Sequence, residues 1–475
     1  MGRGLVKSHA REVTMLGNQR GGAALRILLV LVLLGGIGFA ALAAFRVGPA
    51  PHLTIQPAMK GIGRRTPVTV EVEAGGRGLR GIEVAVVQGT LRQVLATKTY
   101  TPGPAWKFWG GAALHDRLQV EVGRETVKGL KPGTATIEVA AERPGAWLRA
   151  PGRATATLDL PVRLNPPTLA PQSDAVYVAQ GGSECVVYRV GESSMKDGVQ
   201  AGGDFFPGHP LPGGGPGVRF ALFAVPYDLA DVSQVRLVAE DEVGNRATAA
   251  FVHQFFPKKW HRSEIPLTDP FLQKVVPEIV SQSPEVEEKG SLLDTYLAIN
   301  RDLRKVNNAE IRGLAGKSQL KFLWSKPFLR MAAAPEAGFA DHRTYTYQGK
   351  SVDFQVHLGV DMADTQNVPV PSANDGVVVL AKYLGIYGNT VIVDHGYGLM
   401  TLYGHLSSIG VKDGQEVKRS QELGRSGATG LAGGDHLHYS VLVDGTFVIP
   451  KEWWDPHWIQ DRIARKLPGA FKLES

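Results

Sequence analysis

Three periodicities of apolar residues follow one another along this chain, and each predicts a different element. Residues 27–45 (ILLVLVLLGGIGFAALAAF) are apolar without interruption. A helix of that length rises about 28 Å, close to the hydrocarbon thickness of a bilayer, so the run predicts a transmembrane helix. Residues 67–73 (PVTVEVE) switch to period two, with Val68, Val70 and Val72 on one face. Residues 82–87, 118–122 and 134–140 repeat the pattern between Gly/Pro turns, which predicts a β-sandwich over residues 51–162. After the break at Asn165-Pro166-Pro167, a second strand set predicts another sandwich over residues 163–257, its last hairpin turning at residues 241–245. That turn resembles the closing hairpin of immunoglobulin-like bacterial modules. Residues 202–217, with seven glycines and four prolines, read as a loop.

Residues 258–320 change to helical spacing. Asp269 and Pro270 predict a helix start, with Asp269 as cap, and Pro277 predicts its end or a kink. Ser291 opens a second helix, with Leu293, Tyr296, Leu297, Asn300 and Leu303 on one stripe and Arg301, Asp302, Arg304 and Lys305 outside it. This segment is expected to be a spacer. A sharper alternative has residues 291–308 covering a groove in the next domain until displaced. Residues 321–460 return to short, glycine-punctuated strands, with residues 461–475 as a tail. The expected fold is therefore mainly β: a basic tail (1–26), a transmembrane helix (27–45), two β-sandwich modules, a short helical linker and a C-terminal β-rich domain.

Charge changes this picture in one place. The first 26 residues hold five basic side chains against Glu12, most of the formal net charge of +7. By the positive-inside rule the tail lies in the cytoplasm and the chain beyond Arg46 outside, as a single-pass protein of the cytoplasmic (inner) membrane. A cleaved signal peptide, cut near Ala43, is the competing reading. What remains of the charge is too little for a nucleic-acid-binding surface. The single cysteine, Cys185, excludes an intrachain disulfide and reads as a small core residue.

The chemistry lies near the C-terminus. A catalytic zinc takes three imidazole or carboxylate ligands and keeps one position open. His357, Asp361 and His438 could supply the three, with His405 and His436 as spare imidazoles beside them. His436 and His438 are two apart, so on a strand both enter one pocket. Gly359 is expected to turn the backbone so that His357 and Asp361 meet the ion.

The stretches HLGVD (357–361), VPVPSANDGVV (368–378), YGNTVIVDHGYGLMTLYGHL (387–406), GQEVKRSQELGRSGATG (414–430) and HLHY (436–439) resemble, in order and spacing, the lysostaphin-type zinc metallopeptidases. The resemblance implies a zinc metallopeptidase domain over residues 321–460 that hydrolyses the peptide cross-links of bacterial peptidoglycan. It implies one zinc per chain on His357, Asp361 and His438, with His405 and His436 as catalytic, non-ligand histidines. It also implies that His395 is structural, and that Arg343 stands where many relatives carry an arginine after a Phe-Gly pair. Ala340 replaces that glycine. Ser440 stands where relatives commonly have an acidic residue, on the face shared by His436 and His438. The expected partners are peptidoglycan, the cytoplasmic membrane through the N-terminal helix, and regulatory proteins. The alternative function is a catalytically inactive activator of other wall hydrolases, a class that has lost positions retained here.

Overall fold

A computed structural model describes residues 1–2, 19–107 and 111–474. Arg3, Lys7, Arg11 and Glu12 of the basic tail lie outside the described residues. The chain forms two compact units, residues 1–165 and 166–475.

The apolar run folds as helix α1, Gln19–Phe45. Its side chains from Leu25 to Leu34 are more than half exposed, because the helix is apolar all round and has no interior to enter. Ala23–Phe45 is long and apolar enough to cross a membrane. The rest of this unit is two antiparallel sheets. One orders the strands His52–Pro57, Thr66–Glu73 and His115–Val122; the other orders Leu91–Thr99, Gly81–Gln88, Gly133–Arg143 and Gly152–Val162. Period-two alternation turns Val68, Val70 and Val72 inward, where they join Val84, Val86, Ile137 and Val139 in one core.

The second unit begins with two four-stranded sheets. The glycine-dense segment expected to be a loop contains the strands Asp204–Pro207 and His209–Pro210. Gly202, at φ +58°, turns the chain back so that Asp204–Pro207 pairs with Lys196–Ala201 and buries Phe206. Glycine density there marks tight turns between strands rather than their absence.

Helix α2, Asp269–Gln282, is capped by Thr268, whose hydroxyl accepts from the Phe271 N–H at 3.3 Å. The cap thus falls one residue before Asp269. Pro277 does not end the helix. An interior proline costs about 3 kcal/mol, and burial of Leu272, Val275, Val276 and Ile279 along the helix offsets it. Ser291 caps helix α3, Leu292–Ala298; a π turn, Ile299–Leu303, joins it to helix α4, Arg304–Gly313. These helices are built into the downstream domain. Leu272, Ile279, Tyr296, Leu303 and Ile311 share a core with Leu380, Ile386, Ile392 and Leu402.

The main sheet of that domain orders Ala334–Ala337, Val360–Ala363, Leu437–Val443, Leu399–Leu406, Asn389–Gly396, Gly376–Tyr383 and Glu416–Val417, with Thr446–Val448 paired to Leu437–Val443. All pairings are antiparallel, and their register sets Asp361 and Gly404 on either side of His438. A smaller sheet carries His357 at the end of the strand Lys350–His357.

Candidate metal centre

Register brings together residues that are distant in sequence. His357 ends one strand, Asp361 lies on the next, and His438 pairs across to Asp361. His357 Nε2 and His438 Nδ1 each lie 2.9 Å from Asp361 Oδ1 and 3.0 Å from each other. All three residues are buried, and their ligand atoms fall within 4.8 Å of one another.

The hydrogen bonds behind this cluster fix its chemistry. His357 Nδ1 lies 2.9 Å from the carbonyl of Gly338, which only accepts, so Nδ1 carries the proton and Nε2 presents a lone pair. Ser440 Oγ donates to the Leu358 carbonyl at 2.8 Å and therefore accepts from His438 Nε2 at 3.1 Å. That leaves the lone pair of His438 on Nδ1. Two imidazole lone pairs and a carboxylate oxygen thus converge with no proton among them. Such a set repels itself unless a cation sits among the donors, and two nitrogens with one oxygen suit zinc. The residues present fit the metal.

Asp361 is tuned for this task. Burial pushes its carboxyl upward, but His357 and His438 in their protonated forms override burial and hold it well below the usual carboxylate range. Its second oxygen accepts from Arg343 Nη2 at 3.1 Å, and Arg343 Nε reaches Asp341 at 3.3 Å. The turn before Arg343 survives the loss of its glycine, because Ala340 itself adopts φ +58°.

The backbone bends at Gly359, between the strands that carry His357 and Asp361. Its φ is not in the left-handed region; instead a Cβ there would lie 2.5 Å from His438 Cε1 and 2.7 Å from Ser440 Oγ. Gly359→Ala is therefore expected to displace the His438 ring and weaken metal affinity by about 10- to 100-fold, as loss of a supporting partner does. Competition with a chromogenic chelator measures this, and wild-type affinity would show that the ring has room to move.

His405 and His436 face the same cavity. Their ring centroids are 4.8 Å apart, and that of His405 is 5.7 Å from that of His438. Each is oriented by a carbonyl: His405 Nδ1 by Thr429 at 2.8 Å, His436 Nδ1 by Gly434 at 2.9 Å. Both rings therefore leave Nε2 as a base. Burial, with His436 and His438 close by, holds the His405 imidazole well below its ordinary range, so it is neutral. His405 also sits at φ +61°, a conformation that a β-carbon disfavours and that recurs at functional sites. His395 is elsewhere: buried, bonded to Asp375 and Thr401, and pushed down to about 4 by burial.

The cavity is about 440 Å³. Besides the five residues above, it is lined by Phe271, Tyr296 and Arg304 from the helical segment and by Arg343, Tyr387 and Leu431. The helical segment, expected to be a spacer or a cover over a groove, supplies part of the cavity lining. The segment forms a wall, with Asn307 accepting from the Ile386 N–H and Asn308 from the Tyr387 hydroxyl. A second cavity of about 430 Å³, lined by residues such as Gly203, Asp228 and Arg312, contains none of the histidines.

Residues 355–450 match peptidase family M23. Over 89 residues the chain is 47% identical to the peptidoglycan DD-endopeptidase ShyA of Vibrio cholerae, which is 19% of this chain and 21% of that protein. Over 97 residues it is 38% identical to the DD-carboxypeptidase/endopeptidase Mpg of Neisseria meningitidis, 20% of this chain and 22% of that one. The chain thus spans about a fifth of the length of these curated relatives. Among solved structures, the catalytic domain of lysostaphin from Staphylococcus simulans is 27% identical, with 26% of this chain and 92% of that chain covered and a TM-score of 0.22.

Proposed function

Since the chain carries a lysostaphin-type M23 peptidase domain at its C-terminus, we propose that it is a membrane-anchored zinc endopeptidase hydrolysing peptide cross-links of peptidoglycan. The observation that carries this reading is the convergence of three unprotonated donors beside two imidazoles with available Nε2 atoms. His357, Asp361 and His438 would hold the zinc, which supplies Lewis acidity to a scissile carbonyl and lowers the pKa of a water. Of the two imidazoles, one takes a proton from the attacking water at its neutral Nε2. The ring then bears two N–H groups and returns a proton to the leaving amine. The other would donate to the developing oxyanion in the form that carries a proton on Nε2 as well as on Nδ1. Arg343 holds the outer oxygen of Asp361 and keeps the carboxylate charged. In the same reading the two β units are immunoglobulin-like modules that position the enzyme in the wall.

The direct test is incubation of the zinc-loaded full chain with purified wall fragments, with product ends identified by mass spectrometry. New carboxyl and amino ends at the cross-link are expected, D-alanyl and diaminopimelyl where the wall carries diaminopimelate cross-links; intact cross-links after prolonged incubation would reject the reading. The anchor has its own test. The full-length chain is expected to stay in the membrane fraction through a high-salt wash, and a cytoplasm-only reporter fused after Ser475 should be silent. Release by salt would instead favour cleavage near Ala43.

A further inference from the structure

The cavity wall contributed by α2–α4 lies outside the family-matched residues, and it carries a cation that pairs with no carboxylate among the described residues. Two arginines line the cavity among the described residues. Arg343 is committed to Asp341 and Asp361. Arg304 is held differently, by a neutral side chain and a carbonyl: its Nε donates to the Asn300 carbonyl at 3.0 Å and its Nη2 to Asn300 Oδ1 at 2.5 Å. Asn300 is itself fixed. It is fully buried, and its amide donates to Asp353 at 2.8 Å, while Arg301 pairs with the other oxygen of Asp353 at 2.8 Å. A guanidinium has five N–H groups, so three on Arg304 have no protein acceptor among the described residues.

The helix geometry explains why this arginine reaches the cavity. At 100° per residue, uninterrupted helical spacing puts Arg304 about 80° from Tyr296, between Leu293 and Leu297 at the edge of the apolar stripe. The π turn Ile299–Leu303 carries an extra residue, which rotates helix α4 by about 100° relative to a regular α-helix. π turns occur frequently at functional sites. Here the turn supplies both Asn300 and the change of phase that brings Arg304 beside Tyr296 and Tyr387 in the cavity lining. The Tyr387 ring is in turn 5.5 Å from that of His438, so the cation stands one side chain removed from the metal ligands.

We propose that Arg304 forms a carboxylate-binding subsite for the acidic stem peptide of the substrate, a subsite supplied by the helical segment rather than by the peptidase domain. A guanidinium held in one orientation, charged and with free donors, matches a carboxylate in both shape and charge. Phe271, Ile386 and Leu431 add apolar surface to the same cavity, which strengthens a charge pairing made inside it. This deepens the endopeptidase reading and rests on it.

The test compares a cross-linked wall peptide dimer bearing free carboxylates with its fully carboxamidated counterpart, using the zinc-loaded full chain. The wild-type protein is expected to favour the acidic dimer by about 10- to 100-fold, expressed in KM. Arg304→Gln should lose most of that preference by raising KM for the acidic dimer alone, with kcat and turnover of the amidated dimer little changed. Arg304→Lys should keep part of the preference, and circular dichroism checks that both variants fold. A wild-type preference ratio in folded Arg304→Gln would overturn the subsite. If the zinc-loaded wild type cleaves neither dimer, the endopeptidase reading falls. Calorimetric binding of the acidic dimer then decides the subsite separately: weaker binding by Arg304→Gln supports it, and equal binding rejects it.

Discussion

Replacing His438 with alanine is expected to take bound zinc from about one ion per chain to near zero and to reduce wall hydrolysis to background. The expectation comes from how the ring is held. Ser440 takes the proton-bearing Nε2, so Nδ1 is the only lone pair His438 offers, and it faces Asp361 and His357. Without it, one nitrogen and one carboxylate remain, too few for a tetrahedral site that keeps a position open. The fold should persist, because His438 lies on a strand whose neighbours Leu437, Tyr439 and Val441 keep their own packing. Ser440→Ala should do less, weakening the metal by about 10- to 100-fold through loss of orientation. Elemental analysis of the dialysed protein reads both. Stoichiometric zinc in a variant lacking His357, Asp361 and His438 together would reject the assignment.

The second large effect separates chemistry from metal binding. His405→Asn and His436→Ala should each retain zinc and lose rate by about 10²- to 10⁴-fold, the range of a positioned acid–base group. Asparagine is chosen at residue 405 because the backbone there is left-handed, which asparagine tolerates better than alanine does. A loss of rate then reports the imidazole rather than backbone strain. Wild-type turnover in either variant, with zinc bound, would remove that histidine from the mechanism.

Much of the centre was legible in the sequence because its donors sit in short, closely spaced segments. His436 and His438 are two apart on an extended segment, and His357 and Asp361 flank a glycine. Ser440 was placed by the same alternation, and the structure gives it a carbonyl to donate to and a ring nitrogen to accept from. The features that stayed hidden were set by packing and register. Nothing near Gly359 announces that an imidazole will lie against its α-carbon. Arg304 belongs at the edge of the stripe even at a period of 3.6, between Leu293 and Leu297, and the π turn Ile299–Leu303 then shifts the phase of the residues that follow. Pro277 predicts an end or a kink because its sequence neighbours do not reveal that the same helix is buried along one side, which carries it through to Gln282. The strands inside residues 202–217 were missed for a related reason: local composition records the turns, while pairing with Lys196–Ala201 and Val218–Ala224 comes from elsewhere in the chain.

The β-sheets at the start of the second unit share one core with the peptidase domain. Phe220 packs edge-on against Tyr397 at 4.9 Å and stacks on Phe322 at 5.8 Å, while the Trp453 indole N–H donates to Ser183 at 3.1 Å. Glu184, fully buried, pairs with Lys466 at 2.9 Å. Half of that ion pair would be stranded in either fragment if the chain were divided at the edge of the family-matched region, and a stranded buried charge is strongly destabilising. The peptidase fold in this protein is thus not a cassette: grafting residues 321–460 onto another carrier would part Tyr397 and Phe322 from Phe220 and Trp453 from Ser183. Exchange between proteins by recombination would have to move residues 166–475 together.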